Sequence, residues 1–495
     1  MMKFCGIDVG TSGVKAMVFD EKGMPLGESH RPYAMQVAPD GTRLLRALEL
    51  WNQTKTVFAE AARKAGGDID AVCADSFGES FVALNKNDDI ICDPMIFTDR
   101  WGEAEYREAE GKTSAEEIAG LCGLPLSPSY SLSKILYLRE KRPEIYEKTT
   151  RILLIQDFIG FMLSGQTAAD YSTASRTMFF NVRECIWSNT LMEKFGLNPR
   201  HYSPPVPMGT IIGTLRKSLA GELGLNDGIK VVAGGHDQPV STIGAGLRKG
   251  SAVNSMGTAE CITPVIGAML PGGFIVEHGI PAEPLWEKGK FCCLLYNNSS
   301  CLLVDWFLKT VTDEKPLPYT RFDSNIPSEP TGIMVQPYLM GSGTPYMDSN
   351  ARLAIAGVDY GTTKYDIYRA ILEGLCLDQR LNLEILSQEH ITVENIIVVG
   401  GGSRSRAWLR IKADILQMPV SIPMVREAGA LGCAVLCTTA SGVYGTVEET
   451  ARAMSRIQET IEPNQGHRSF YDEKFELYRK LHHHVQEESG FAIRR

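Results

Sequence analysis

Among the 495 residues there is no C-x-x-C pair, no G-x-x-x-x-G-K-[ST] phosphate loop and no surplus of positive charge. Each absence closes a class. Twelve cysteines without metal-type spacing, the nearest being the adjacent Cys292 and Cys293, read as reduced, mostly buried thiols. Gly244-Ala245-Gly246 lacks the third glycine of a dinucleotide fingerprint, so neither common nucleotide-binding loop is supported. Lys plus Arg total 50 against 59 Asp plus Glu, a net charge of −9, which argues against a general phosphate-backbone binder and hence against nucleic acid as a partner. The opening Met1-Met2-Lys3-Phe4-Cys5-Gly6-Ile7-Asp8 puts an acid and a glycine where a secretory signal needs a continuous apolar core, and a cytoplasmic location is expected. The longest charge-free stretch, Ala428 to Val447, is about the length of a membrane span but carries glycines, serines and threonines. It reads as buried small-residue packing, and no membrane segment is expected.

What is present is an ordinary folded mixture, 44% hydrophobic and 22% charged, long enough for at least two compact units. Phe4 to Val9 and Val14 to Phe19 are β-prone runs around Gly10-Thr11-Ser12-Gly13, with a third strand expected after Glu21-Lys22-Gly23. Helical spacing runs from Trp51 to Lys64, and two strands, Ile69 to Ala74 and Ser80 to Asn85, flank a turn at Ser76-Phe77-Gly78-Glu79. Residues 114–200 read as a mainly helical insertion. A domain boundary is expected at 248/249, giving units 1–248 and 249–480 and a tail 481–495. In the second unit Ala252 to Met256 and Cys261 to Ile266 flank Gly257-Thr258, echoing the first hairpin and hinting at two similarly built domains. Asn395 to Val399 then precedes Gly400-Gly401-Gly402 and a helix from Ala407. Near the end, Phe475, Tyr478, Leu481 and Val485 share one helical face, beside His482-His483-His484, and predict a helix that docks rather than binds metal.

Four of these segments carry chemistry. Asp8 ends a strand and leads into a glycine-bounded turn whose amides and hydroxyls suit a magnesium–phosphate contact, or an ordinary tight hairpin. Asp237 follows a short apolar run and Gly234-Gly235, a position that suits a general base and equally a helix N-cap before Gln238-Pro239. His236 beside it reads as a packing or hydrogen-bonding histidine. Gly257-Thr258 suits a second phosphate contact, and Gly400-Gly401-Gly402 lets a backbone approach an adenine or its ribose.

Their order along the chain resembles the FGGY family of carbohydrate kinases. The matching segments are GIDVGTSGVK at the start, GGHDQ at 234–238, SMGT at 255–258 and GGGSRSRAWLRIKADILQMPV at 400–420. Thr98-Asp99-Arg100, Lys134 within SYSLSKILYL, Asp366 to Glu373-Gly374 and Glu427 to Ala434 add support, so the resemblance runs from residue 1 to about 480. It implies an actin-like ATPase fold of two ribonuclease-H-like α/β domains, with ATP and a sugar meeting in the cleft between them. Carried over residue by residue, it implies that Asp8 organises Mg2+ through water, with Asp237 also beside the metal. Gly10, Thr11, Ser12 and Lys15 would approach the transferring phosphate, Gly257 and Thr258 would add a second-domain phosphate contact, and Gly401 and Gly402 would border the adenine. Asp237 would take the proton from the sugar hydroxyl. Gly78, Glu79, Phe97, Asp99, Asp237 and Gln238 would face the sugar, and a homodimer is the family-based expectation.

Substrate choice is where the chain departs from its resemblance. Ser76-Phe77-Gly78-Glu79 differs from the Gln-Met-His of xylulose kinases and the Gln-Arg-Glu-Thr of glycerol kinases; Phe97, Tyr137, Leu353 and Ser299-Ser300 also replace usual residues. Ionised Glu79 and Asp99 would accept hydrogen bonds from a neutral polyol and repel a sugar acid unless Arg100 or another base compensates. The expectation is therefore a neutral ketose or polyol, a ketopentose such as xylulose first, with glycerol, another polyol or a sugar acid such as gluconate as alternatives. Two other classes stand against it. A mechanical actin-like ATPase would not need Asp237 poised for a sugar, and an idle sugar-sensing ATP-binding protein would be expected to lose Asp8 or Asp237.

Overall fold

The computed structural model describes residues 1–33, 36–37, 43–96, 101–248 and 250–482. Six strands form the first sheet in the spatial order Ile211–Thr214, Lys230–His236, Ala71–Ser76, Lys3–Val9, Gly13–Asp20, Pro25–Pro32. The last three of this list form the expected antiparallel meander, and Lys3–Val9, Ala71–Ser76 and Lys230–His236 run parallel to one another at the centre of the sheet. The second sheet repeats the plan. The hairpin Ser251–Met256/Glu260–Ile266 is antiparallel, Ser251–Met256 pairs in parallel with Asn395–Val399, that strand in parallel with Val420–Pro423, and Ile457–Ile461 closes the edge antiparallel. The short echo between the two Gly-Thr hairpins thus extends to a duplication of strand order and direction. Both strands expected around the turn at 76–79 form, but Phe81–Leu84 does not pair with Ala71–Ser76; it joins Ile90–Cys92 and Arg151–Leu154 in a separate small sheet. The turn at 76–79 sends the chain out of the first sheet, with Glu79 at a φ of 62°. The insertion beyond it is mainly helical and carries short strands such as Arg151–Leu154.

Alternation along the central strands decides what each face meets. Cys5, Ile7 and Val9 pack with Phe58, Phe158 and Ile159. Phe4 and Cys73 face the other way, onto Val240 and Ile243 of the helix Asp237–Gly244 and onto Ala430, Leu431 and Val435 of Ala428–Ala440. This last helix follows a strand of the second sheet yet packs on the first, so it ties the two halves together. Its approach requires small residues: a Cβ on Gly6 would collide with the Ala430 carbonyl oxygen, and one on Gly432 with that of Val240. The first part of the charge-free stretch, Ala428 to Thr438, is therefore close-packed interior, whereas residues 439–446 are half-buried or exposed, and among the described residues no helix is long and apolar enough to cross a membrane.

In the insertion, Asp157 is buried and accepts from the Ala168 amide at 2.9 Å and from the Ser203 hydroxyl. Burial pushes its carboxyl up to about 7, against those two bonds. A carboxyl raised in the folded state contributes stability below its unfolded pKa, and that contribution is lost as pH rises through about 7. Asp157→Asn keeps an acceptor for Ala168 and offers a donor to Ser203. It is expected to melt above the native protein at pH 8, with the difference vanishing toward pH 4, as followed by thermal denaturation at both pH values.

Candidate active site

Three neighbouring parallel strands deliver acids to one edge. Asp8 and Asp75 are directly paired in register, Ser76 pairs with His236, and Asp237 follows at once. By the alternation just described, Asp8 and Asp75 share the face of Phe4 and Cys73, toward the start of the helix Ala428–Ala440. A Cβ on Gly429 would lie 2.7 Å from Asp75 Oδ2 and 3.5 Å from Asp8 Cγ. Asp75 is fully buried; among the described residues no N–H or hydroxyl group donates to its carboxylate, and the side-chain hydrogen bond it makes is to the Asp8 carboxyl. Burial, followed by neighbouring groups that include Asp8 and Asp237, holds its carboxyl well above the usual range. Asp8 is pushed up to about 6, first by burial and then by the charge of Asp237, with Lys15 opposing. Lys15 is itself paired at 2.5 Å with Glu427, the residue preceding the helix from the second half. The turn beside them is braced by Gly10 N–H donating to Gly13 O at 3.0 Å and Tyr33 N–H donating to Ser12 O at 3.2 Å. Thr11 is half-buried and Ser12 exposed at its tip.

Asp237 is the first residue of its helix; His236 holds the N-cap position and Asp237 does not cap it. The N-cap alternative is thereby corrected. The Asp237 side chain keeps 33% exposure, open enough to meet a ligand, and its Oδ1 lies 3.3 Å from His236 Nε2. His236 Nδ1 lies 2.8 Å from Glu283 Oε2, and Glu283 Oε1 accepts from Arg176 Nη1 at 2.5 Å. Arg176 Nη2 donates to Glu79, and its guanidinium sits 4.9 Å from the Tyr130 ring centroid. The result is an unbroken chain of charged groups from Asp237 to Glu79. Burial alone would push the His236 imidazole down, but Glu283 and Asp237 outweigh it and hold its pKa above the ordinary value. Burial would likewise push Glu283 up, yet His236 and Arg176 hold its carboxyl below the ordinary carboxylate range. Gly78 abuts Arg176 and His236, and Gln238 is half-buried in the first turn after Asp237.

The second sheet supplies a facing pair of loops. The Gly257-Thr258 carbonyls accept from the Cys301 and Leu302 amides at 3.2 and 3.4 Å, seating the hairpin on the start of the helix Ser300–Val311. Gly400, at a φ of 83°, lies so close to Met256 that a Cβ would fall 2.8 Å from the Met256 oxygen. Gly402 lies against Met256, Trp408 and Cys301, while Gly401 is exposed with open space beside it. The two glycine loops are therefore neighbours, as one nucleotide would require. Cys261, on the same hairpin, is close enough to feel the charges of Asp237, Glu283 and Arg176. Phe97, Asp99 and Arg100 lie outside the described residues. The sequence pattern does not mark Asp75, Arg176 or Glu283, while His236, expected as a packing or hydrogen-bonding histidine, is buried and bonded to Glu283. Alternation from Asp8 to its partner strand is the one signal that reaches Asp75; none in the sequence reaches Glu283.

Two sheets of one topology, with acids at the strand ends of the first and glycine loops on the second, define an actin-like phosphotransferase fold. The N-terminal-domain profile of the FGGY family of carbohydrate kinases matches residues 3–244, and the C-terminal-domain profile matches residues 294–441. The chain belongs to the FGGY family of carbohydrate kinases. It is 25% identical over 492 residues to a xylulose kinase of Bacillus subtilis (strain 168), covering 97% of each chain. It is 26% identical over 507 residues to an autoinducer-2 kinase of Klebsiella pneumoniae subsp. pneumoniae, covering 97% of this chain and 94% of the relative. The crystal structure of a ligand-bound xylulose kinase from Lactobacillus acidophilus superposes with a TM-score of 0.90 at 20% identity, over 99% of this chain and 100% of the other. The enzyme is a sugar kinase, and kinases of this family use ATP as the phosphate donor.

Proposed function

We propose that the enzyme transfers the γ-phosphoryl group of ATP to a hydroxyl of a neutral ketose, a ketopentose such as xylulose first, with Asp237 as the general base. The observation that carries the substrate reading is Arg176: both terminal nitrogens are engaged, one by Glu283 and one by Glu79. Two carboxylates share one guanidinium, so a sugar carboxylate would find no free fork there, whereas hydroxyls can donate to Glu79. Xylulose enters from the relatives that carry that name.

Phosphoryl transfer asks mainly for alignment and charge neutralisation. In this reading Asp237 accepts the hydroxyl proton while Thr11, Ser12, Gly257 and Thr258 surround the phosphates and Gly401 and Gly402 border the adenine. The Asp8 and Asp75 carboxyls, hydrogen-bonded to each other and to no N–H or hydroxyl at Asp75, are a pair of oxygen donors that would suit a hard divalent cation in place of their shared proton. Among the described residues no three acidic, histidine or cysteine side chains could hold a metal by themselves, so water and phosphate oxygens would have to complete the coordination of a Mg2+ here. Asp8 and Asp75 would hold it, and it would neutralise charge on the phosphates.

The test is ADP release with Mg2+ and ATP across ketopentoses, hexuloses, polyols and sugar acids. The expected result is turnover with a ketopentose and at least about tenfold lower kcat/KM, or about 1.4 kcal/mol, for gluconate. Gluconate as the best substrate would overturn the neutral-acceptor reading, and ATP hydrolysis that ignores added sugar would overturn the kinase assignment.

A further inference from the structure

Glu283 lies on the short strand Ala282–Pro284 at the edge of the second sheet, in the stretch between residues 244 and 294 that neither family profile covers. It is fully buried, and it reaches two residues of the first half, Arg176 at 2.5 Å and His236 at 2.8 Å. Each ring nitrogen of His236 faces a carboxylate, Nδ1 toward Glu283 and Nε2 toward Asp237. The His236 backbone is also fixed, its amide donating to Ser172 Oγ at 2.8 Å while Ser172 Oγ donates to Asp170 Oδ1 at 2.5 Å. Turning the imidazole would present carbon edges to both acids, so the ring has one satisfied orientation. That orientation occupies Asp237 Oδ1 and leaves Oδ2 for a ligand.

We propose that Glu283 is a positioning residue for phosphoryl transfer: through His236 it aims the Asp237 carboxylate at the acceptor hydroxyl. The inference rests on the reading of Asp237 as the base. A carboxylate one-third exposed has several rotamers open to it, and a base that must meet a hydroxyl at hydrogen-bond distance loses rate when it leaves the productive one. Because Glu283 belongs to the second half, the base is aimed only while the two halves are together at this edge.

The experiment compares Glu283→Gln, His236→Asn, their double variant and Asp237→Asn by steady-state kinetics with the best sugar and saturating Mg2+ and ATP. Glu283→Gln keeps the shape and removes the charge that holds the imidazole. Its kcat is expected to fall about 10- to 100-fold while sugar KM changes less than about threefold. The double variant is expected to be no slower than His236→Asn alone, because both changes cut one path. A Glu283→Gln enzyme within about twofold of the native kcat, losses that simply multiply in the double variant, or a loss confined to KM would overturn the proposal. If Glu283→Gln does not fold, Glu283→Asp retains the charge on a shorter arm: reduced kcat at native ATP affinity and melting temperature supports the positioning role, and native kcat overturns it. Native turnover by Asp237→Asn would instead overturn the base assignment itself, so the two failures are told apart.

Discussion

Asp237→Asn is expected to bind ATP like the native enzyme and to phosphorylate sugar about 10²- to 10⁴-fold more slowly. That loss corresponds to about 3 to 5 kcal/mol of barrier. The substitution is nearly isosteric, and an asparagine oxygen can still face His236 Nε2, so neither the helix start nor the chain of charges toward Glu79 is dismantled. What disappears is the capacity to accept a proton from the sugar hydroxyl as the phosphoryl group arrives. Removal of the nearby carboxylate also relieves the push that Asp237 exerts on Asp8. Nucleotide affinity should therefore be held or improved, which separates a lost base from a collapsed site. Calorimetric titration with ATP and ADP-release kinetics on the same preparation check both halves. Turnover near the native rate would remove Asp237 from the chemistry.

The parts of this site that were legible in the sequence are local ones. Asp8 and the turn to Lys15 form a strand, a glycine-bounded loop and a second strand, a pattern contained in a few consecutive residues. The same holds for Gly257-Thr258 and for Gly400-Gly401-Gly402 before their helix. Glu283 was not legible because its meaning is tertiary: it is 107 residues from Arg176 and 47 from His236, and nothing in Pro281-Ala282-Glu283-Pro284 marks it as other than a surface acid. Arg176 is unmarked in the sequence for the same reason, and its pairing alters the electrostatics of the sugar side, since Glu79 is a paired acid rather than a lone one. His236 is at once a buried histidine, as the sequence suggested, and the link between two carboxylates. The small-residue stretch from Ala428 is interior packing as far as Thr438 and not over 439–446; that it packs against the other half's sheet follows only from the collision that any side chain on Gly6 would cause.

Glu373 is a further residue whose match to the family was visible before its reason was. It lies fully buried on the helix Lys364–Ser387 and accepts from Arg369 Nε at 2.6 Å, Lys474 Nζ at 2.6 Å, and the Tyr471 hydroxyl at 2.9 Å. Tyr471 and Lys474 belong to the C-terminal helix Arg468–His482, so this one carboxylate is the polar anchor by which that helix docks, beside the apolar contacts of Phe475 and Tyr478. Glu373→Ala leaves a guanidinium and an ammonium buried together without their counter-charge, a change that costs about 3 to 5 kcal/mol when a buried pair loses one partner. The loss should concentrate at the C-terminal helix, where Glu373 is the carboxylate that Lys474 and Tyr471 share; the polar ties that remain among the described residues include Lys474 to the Thr331 and Ile333 carbonyls, Arg369 to the Tyr471 hydroxyl, Arg380 to Asp472 and the Tyr471 carbonyl, Tyr478 to Asp378 and Arg479 to Glu384. In a two-domain enzyme a single unfolding free energy is poorly defined, so the informative measurement is amide hydrogen exchange resolved by segment. The expected result is faster exchange across residues 468–482 with the first sheet, around Lys3–Val9, protected as in the native enzyme. Native protection of the C-terminal helix in Glu373→Ala would mean that apolar packing alone holds it and that the charge cluster contributes little.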